Sequence, residues 1–445
     1  MLPVLLLLLA APPAAGPAGL PLQEDAAQAP ATPPPTGPPP FLGPWRAELE
    51  LPGAVAPFRL EFDETDGVLS ARVVNGPERI TVPEVGWVRG EGGGPLLRLG
   101  FPHYDSELLA TVAEDGRAMT GEYRRRRAAD LWIVLPFRAV AGAADRFPRL
   151  ENAPADALPP QGLTGRWRVT FEGDPRPAVA EFRVRPDGFA LGTFLTSLGD
   201  WRFLAGRADP AASGAVRAGR LRLSAFDGAH VLVVAARLAP DGTLTGETHW
   251  ASGATDAWTA VRDPDAELPD PFGLTRVREE RPDLGALRYL DLEGESVSLA
   301  EVAPDGAPRM LVLFGTWCPN CNDEAVLLQE FDARYGPRGL RIVGLGFERS
   351  GEPEHDLEML RRHRDRFGLR FPLLLAGRAD EAETARAFPA LSEVVAFPTT
   401  VFMDAAGRIR AVHTGFLGPA TGVAHERLRA DYERLVEGLL AESGG

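Results

Sequence analysis

The chain has 445 residues, 44% of them hydrophobic, and a formal net charge of −15, so it is long enough for two or three folded domains. The acidic balance argues against nucleic acid or an anionic membrane surface as a partner. All 47 cationic residues are arginines. We interpret their one cluster, Arg124 to Arg127, as a solvated strand end rather than a binding patch.

Residues 1–20 are predicted to form a secretory signal. The apolar block at 2–10, LPVLLLLLA, is followed by small residues and prolines, as in such signals, and it is too short to span a bilayer. A cationic start is missing, since the first arginine is Arg46. We therefore expect export to the periplasm or cell envelope, with membrane tethering only through an uncleaved leader. Residues 21–42 are rich in Pro and Ala and predict an extended linker.

An internal repeat follows. GPWR at 43–46 returns as GRWR at 165–168, and a Thr-Gly-Glu triplet occurs at 120–122 and again at 245–247. Period-2 alternation and Asp-Gly turns in both copies are typical of antiparallel hairpins. The sequence therefore predicts a duplicated antiparallel all-β region.

We place β-rich repeat 1 at 43–148, a linker at 149–164 and β-rich repeat 2 at 165–265. Seven or eight strands per copy favour two small barrels or sandwiches, or two halves of one larger one. The paired tryptophans are expected to fill the cores. Asp105 and Asp227 occupy equivalent places and are expected in turns or buried hydrogen bonds. A recognition or dimerisation module is the working hypothesis for this region.

Residues 270–445 alternate strands with helices, which predicts an α/β domain. The apolar strand at 310–314 leads directly to the chain's two cysteines, Cys318 and Cys321, which we place in the first turn of the next helix. Free N–H groups and the helix dipole stabilise a thiolate there and can lower a thiol pKa to roughly 3.5–7.5. We expect Cys318 to be the exposed nucleophile and Cys321 the buried resolving thiol.

The cysteine pair has three alternatives to disulfide exchange. A structural disulfide would close so short a loop that it would remove little chain entropy. A zinc site would need two more ligands, and no second CxxC or paired histidines accompany the motif. The third is an inert pair of buried thiols. The exchange-active interpretation is preferred, with no metal or cofactor.

The motif at 317–321, WCPNC, resembles the WCxxC motif of thioredoxin-fold disulfide oxidoreductases. The preceding LVLFGTW, the hairpin ending in VSL and the insert before the Phe397-Pro398-Thr399 segment resemble the exported TlpA/ResA type, over about 270–445. The resemblance implies a cis Pro398 that faces the cysteines and, with Phe397, offers backbone hydrogen bonds to a peptide. The expected substrate groove comprises Trp317, Pro319, Phe397, Pro398 and Thr399.

The resemblance also implies an acid near the thiols that moves protons, and Glu324 is the candidate. It lies three residues after Cys321 and so on the same helix face. A desolvated glutamate has a raised pKa and could accept the proton of Cys321. The alternative is a solvated acid in the helix's first turns, where the dipole favours it. Thioredoxin's buried aspartate has no counterpart, since Val312 stands in its place.

The function implied is an exported thiol-disulfide oxidoreductase that reduces protein disulfides and is re-reduced by an upstream thiol donor. A peroxiredoxin-like peroxidase is one rival, although Thr316 lies one residue too close to Cys318 for its T-x-x-C pattern. Copper delivery, with His413 as a ligand, is another rival, although proteins of that kind have a CxxxC motif, one residue longer than the CxxC motif here. A different alternative is an envelope binding protein whose β repeats are the main functional part.

Overall fold

The computed structural model describes residues 41–90, 92–142, 145–150, 160–210, 219–279 and 282–443. The predicted signal lies outside these ranges, as do most of the linker at 21–42 and part of the linker at 149–164. No helix in the described ranges is long and apolar enough to cross a lipid bilayer.

The first part of the described chain forms a nine-stranded antiparallel sheet in the order β4-β3-β2-β1-β9-β8-β7-β6-β5. The two edge strands follow one another in the chain and are joined only by Val82 and Pro83, so the sheet curls toward closure. The strands are β1 (Gly43–Leu51), β2 (Ala54–Thr65), β3 (Val68–Asn75), β4 (Glu78–Thr81), β5 (Glu84–Arg89), β6 (Pro95–Phe101), β7 (Ser106–Val112), β8 (Ala118–Ala128) and β9 (Leu131–Ala141).

A second nine-stranded sheet, counted over the same described ranges, closes into a barrel because β11 also pairs with β12. Closure leaves the ring without free strand edges. Its strands are β10 (Gly165–Phe171), β11 (Asp174–Val184), β12 (Phe189–Thr196), β13 (Gly199–Asp200), β14 (Leu204–Pro210), β15 (Gly219–Phe226), β16 (Val231–Leu238), β17 (Leu244–Trp250) and β18 (Thr255–Arg262).

Tryptophans occupy matching positions in the two sheets. Trp45 and Trp167 are fully buried, and each donates its Nε1–H to the backbone oxygen four residues earlier, at 2.7 Å and 3.1 Å. Trp258 is also buried, whereas Trp132 is 41% exposed. The expectation that the paired tryptophans fill the cores is therefore wrong for Trp132. Strand alternation turns it to the outer face of β9, beside the Arg126 guanidinium.

The two β sheets share an interface. The ring of Phe226, from β15, joins the core of the first sheet and lies 4.6 Å from Phe58 between centroids. Asn75 donates to the Phe226 backbone oxygen at 2.8 Å. Both contacts connect β15 with β2 and β3, so the two sheets form one continuous platform.

The C-terminal region has a thioredoxin-like fold, built on a seven-stranded mixed sheet within the described residues. Its order is β20-β19-β23-β22-β21-β24-β25, with β21, β22 and β23 parallel. The strands are β19 (Arg288–Leu290), β20 (Ser296–Ser298), β21 (Arg309–Phe314), β22 (Arg341–Glu348), β23 (Leu373–Arg378), β24 (Thr399–Met403) and β25 (Ile409–Thr414).

Helices cover both faces of this sheet: α1 (Leu299–Val302), α2 (Pro319–Tyr335), α3 (Pro353–Phe367), α4 (Glu381–Ala387) and α5 (Val423–Ser443). Helix α2 begins at Pro319, a residue that suits the first helical position. Helix α4 ends at Ala387. Phe388 precedes Pro389, and a residue before proline disfavours the helical conformation.

Candidate active site

The two cysteines lie where the central strand meets a helix. Every residue of β21 is buried, and after the turn at Gly315 the chain enters α2 with Cys318 as the N-cap residue. Cys321 follows one turn deeper. The predicted placement at the helix N-terminus is thus what the structure shows, and both sulfurs are free thiols.

Both thiols are buried. Cys318 is 7% exposed and Cys321 is 2% exposed. The expectation of an exposed Cys318 is therefore wrong for this conformation. Cys318 packs in the core of the C-terminal region. Both β sheets also contact the motif, since Arg125 donates to the Trp317 oxygen and Asp200 accepts from Asn320.

The thiols differ in acidity. Burial raises the pKa of the Cys318 thiol, but hydrogen bonds from the Cys321 thiol and backbone N–H, the nearby Arg349 guanidinium and the Asn320 N–H outweigh it, so the net pKa is lowered. For Cys321, burial and the neighbouring Cys318 thiolate raise the pKa well above its ordinary value. Cys318 is therefore the thiol that ionises first, and a thiolate is the attacking species in disulfide exchange.

The loop before Cys318 is fixed by strand β22. Thr316 donates its N–H and its hydroxyl to the two carboxylate oxygens of Glu348, both at 2.9 Å. Burial raises the pKa of Glu348 to about 8. Trp317 donates its Nε1–H to the Phe347 oxygen at 2.9 Å, and the Arg349 guanidinium stacks 3.5 Å from the Trp317 ring centroid.

The segment at 397–399 faces the cysteines. The Phe397–Pro398 peptide bond is cis, and the Cys318 Sγ donates to the Phe397 oxygen at 3.4 Å. The Pro398 oxygen accepts from the Gly415 N–H at 2.8 Å. Of the five expected groove residues, only Trp317 is partly exposed in this conformation, because Pro319, Phe397, Pro398 and Thr399 are buried.

Glu324 is 1% exposed, which rules out the alternative of a solvated acid. Its Oε1 accepts from the Thr400 hydroxyl at 2.7 Å and from the Tyr432 hydroxyl at 2.9 Å. Its buried Oε2 has no hydrogen-bond partner among the described residues. Burial raises the pKa of Glu324 to about 7, although both hydroxyls oppose the shift. Its charge contributes to the raised pKa of Cys321, so the two groups are neighbours.

Sequence reasoning missed the partners of this glutamate. Tyr432 on α5 links it to His413 on β25, with 3.2 Å between the tyrosine oxygen and the histidine Nδ1. Burial lowers the pKa of His413 to about 4, so the ring is neutral at pH 7. The imidazole considered above as a copper ligand is thus held beside a buried tyrosine.

One arginine joins all three sheets. Arg202, in the left-handed conformation after β13, donates to Asp323 Oδ1 at 2.7 Å and to the Pro319 oxygen at 3.3 Å on α2. It also donates to Glu78 of the first sheet at 2.6 Å and lies 3.6 Å from Asp227 of the second. This guanidinium fixes the motif helix against the β platform.

A second contact is made by Asn320, inside the CxxC motif. Its Nδ2 donates to Asp200 Oδ1 at 3.0 Å and to the Phe416 oxygen at 3.2 Å. Asp200 also accepts from the Gly418 N–H at 2.6 Å. A Cβ at Gly199, where φ is +142°, would lie 2.9 Å from the Asn320 amide. Glycine therefore permits the close approach of β13 to the motif.

We expect Arg202→Ala to speed the reaction of Cys318 with a bulky maleimide by about tenfold or more, because removing one partner of a buried charge network destabilises it strongly. The substitution leaves half-buried Asp323 without its guanidinium. Arg185→Ala is the matched control, since Arg185 lies on the barrel surface, where it pairs with exposed Asp187 and stacks over Phe189. Equal modification rates in the Arg202 variant and the wild type would contradict a protective role for this contact.

The interpretation of Arg124 to Arg127 as a solvated strand end is wrong. Arg125 is 4% exposed and donates to the Trp317 oxygen at 2.9 Å and to the Ala229 oxygen at 2.5 Å. Arg126 reaches Glu352, before α3, at 3.4 Å. The four consecutive cations were the available signal, but only the docking of β8 on the thioredoxin-like region shows what they contact.

A cavity of about 280 Å³ lies between the β platform and the motif, and Trp317 and Asn320 contribute to its wall. A larger cavity of about 690 Å³ is lined by residues of the barrel, such as Phe171 and Trp258. The smaller cavity is lined by Trp317 and Asn320, which lie on either side of Cys318 in the motif.

Comparisons with known proteins agree with this geometry. Residues 277–412 match the model of the AhpC/TSA family. The thiol-disulfide oxidoreductase ResA of Halalkalibacterium halodurans is 31% identical over 125 residues, which is 28% of this chain and 62% of that protein. ResA of Geobacillus thermodenitrificans is 30% identical over 125 residues, or 28% and 63% of the two chains. This chain thus spans less than two thirds of either relative.

A thiol:disulfide interchange protein of the thioredoxin family from Chlorobium tepidum has a similar structure, with 22% identity, coverage of 37% of this chain and 99% of that one, and a TM-score of 0.28. The family match lies entirely within the C-terminal region. That region resembles the ResA thiol-disulfide oxidoreductases in sequence, whereas the β platform is assigned to no family.

Proposed function

We propose that this protein is an exported thiol-disulfide oxidoreductase that reduces disulfides through the Cys318–Cys321 dithiol. Protein disulfides are the proposed substrates, and an upstream thiol donor would restore the dithiol. One observation carries the proposal: two neighbouring thiols at a helix N-terminus have their pKa values shifted in opposite directions. Export rests on the apolar block at residues 2–10.

The difference in pKa between the two thiols determines which of them attacks first. The Cys318 thiolate attacks one sulfur of a substrate disulfide, forming a mixed disulfide and releasing the other sulfur as a thiolate. Cys321 then attacks the Cys318 sulfur, which frees the substrate's second thiolate and leaves a Cys318–Cys321 disulfide. The substrate gains two electrons and the protein loses two. Glu324 accepts the proton that Cys321 gives up, and its pKa of about 7 suits that role near neutral pH.

Peroxidase function is less well supported. The Thr316 hydroxyl, which would have to serve the nucleophile, donates to Glu348 instead. The resolving thiol lies one helical turn from Cys318, which suits exchange between disulfides. The alternative that the β platform is the main functional part is also weakened as an independent role, since Arg125, Arg202 and Asp200 of that platform all contact the motif.

The proposal is tested by mixing the fully reduced full-length protein with insulin and measuring both products. We expect insulin chains to separate while the protein loses the mass of two hydrogen atoms, with the new bond mapped to Cys318 and Cys321. Turnover should follow when dithiothreitol supplies electrons. Unchanged insulin together with two free thiols after prolonged incubation would refute the proposed activity.

A further inference from the structure

The cavity beside the motif has an unusual wall, which we call the arginine pocket: Arg125, Arg127, Arg349, Trp201, Trp250 and Trp317. Arg125 and Arg127 lie on β8, and Arg349 follows β22. Trp201 and Trp250 belong to the barrel formed by the second sheet, and Trp317 belongs to the motif. The pocket therefore exists only where the three sheets meet. Its volume of about 280 Å³ is near the lower end of small-molecule sites.

The positive charge in this pocket is not neutralised by pairing. Within the described residues, no carboxylate oxygen lies within 4.0 Å of a guanidinium nitrogen of Arg125, Arg127 or Arg349. Arg125 donates only to backbone oxygens, and its buried Nε has no partner among those residues. Arg349 stacks on Trp317.

The arginines also act on each other. Burial and the neighbouring Arg125 charge together lower the pKa of Arg127 to about 10. Burial and then Arg127 and Arg125 lower the pKa of Arg349 well below its ordinary value. Guanidinium groups stay charged in proteins. The Cys318 and Glu348 charges oppose the shift at Arg349, but the three like charges still repel one another, and a bound anion would relieve that repulsion.

The acids that also line the pocket are engaged elsewhere. Asp256 accepts the Trp250 Nε1–H at 2.6 Å. Asp200 accepts from Asn320, Gly418 and the Arg202 backbone. His230 adds no charge at pH 7, because burial lowers its pKa to about 4. The pocket therefore holds three guanidinium groups against two carboxylates, neither of which pairs with them, and its net charge is positive.

We propose that the arginine pocket binds a low-molecular-weight disulfide that carries carboxylate groups, and presents its sulfur to Cys318. The inference rests on the proposed dithiol exchange and adds a small-molecule substrate class to the protein disulfides proposed above. Carboxylates would pair with the guanidinium groups, and the tryptophans would contact the carbon chain. The buried state of Cys318 favours a small substrate over a folded protein in this conformation.

The chemistry is the same exchange. The Cys318 thiolate breaks the ligand's S–S bond, one carboxylate-bearing thiolate leaves, and Cys321 releases the second as the protein disulfide forms. The Arg349 charge that lowers the Cys318 pKa also lies in the pocket. Substrate binding and nucleophile activation would then share one residue.

The test compares three small disulfides that differ in charge: dithiodipropionate (a dianion), hydroxyethyl disulfide (neutral) and cystamine (a dication). Each rate with the reduced full-length protein is divided by the rate of dithiothreitol with the same disulfide, which removes intrinsic reactivity. We expect a normalised preference for the dianion over the dication of about tenfold at low salt, declining with added NaCl.

Arg127→Gln should reduce this preference to about threefold or less, since one of three charges is removed, and Arg127→Lys should restore most of it. Arg124→Gln is the matched control, because Arg124 lies on the same strand but pairs with Glu122 on the other face. Its preference should equal that of the wild type.

The inference is overturned if the wild type reduces the three probes at equal normalised rates, or if Arg127→Gln lowers all three rates equally. Insulin reduction is measured alongside. If the protein reduces insulin but shows no charge preference among the three probes, the anionic-substrate assignment alone is refuted. No reduction of insulin or of any probe would refute the proposed oxidoreductase function, and the substrate assignment with it.

Discussion

Cys318→Ser is expected to abolish disulfide reduction, a loss of at least about 1,000-fold, because a serine hydroxyl does not ionise near neutral pH and cannot replace a thiolate nucleophile. Cys321→Ser is expected to behave differently. Cys318 would still attack, but no second thiol would resolve the mixed disulfide, so a covalent protein–substrate adduct should accumulate. Mass spectrometry of the reaction with insulin separates these outcomes.

Neither variant should disturb the fold. Serine is close to cysteine in shape, and at position 318 its hydroxyl could donate to the Phe397 oxygen that the Cys318 Sγ now contacts at 3.4 Å. Thermal unfolding curves that match the wild type serve as the control. Adducts that form in Cys318→Ser and not in Cys321→Ser would reverse the assigned roles.

Glu324→Gln is expected to slow the resolution step by about 100-fold at pH 8, in the range found for loss of a general base. In the wild type the rate should rise with pH through about 7, because burial sets the pKa of Glu324 there and only the carboxylate accepts a proton. The variant should lack that inflection. Rapid-quench measurement of the intramolecular disulfide across pH 5 to 9 provides the profile.

Stability gives an independent readout for the same variant. The folded pKa of Glu324, about 7, lies above the unfolded value of about 4.3. The contribution of protonated Glu324 to the free energy of unfolding is therefore present at low pH and is lost as the pH rises through 7. Glu324→Gln should remove that part of the decline. Glu330→Gln is the matched control, since Glu330 lies on α2 and is paired with Arg429 at 2.7 Å on the surface. An unaltered pH–rate profile for Glu324→Gln would exclude it as the base.

The platform gives a physical reason for a protein to carry β sheets beside a redox region. Arg202 and Asp200 hold it over the motif, and Arg125 reaches the Trp317 backbone. In this arrangement the platform packs against the loop and helix that carry Cys318. Protein substrates would require the sheets to part, whereas a small disulfide could use the arginine pocket.

What the sequence determined by itself is local. A buried apolar strand, a WCPNC motif and a helical period after it are neighbours in the chain, so the strand-to-helix placement of Cys318 and Cys321 followed from the residues. The face of Glu324 followed from its spacing. Its burial did not, because that depends on Tyr432 of α5, which is 108 residues away.

Only the tertiary structure decided how exposed the Cys318 thiol is and which groups the arginines contact. The hydrogen bond from Arg125 to Trp317 joins residues 192 positions apart, and that from Arg202 to Asp323 joins residues 121 positions apart. Periodicity reports which face of a strand a residue occupies, but not which distant surface packs against that face. Arg124 to Arg127 therefore resembled an exposed strand end, although one of the four is buried against the redox motif.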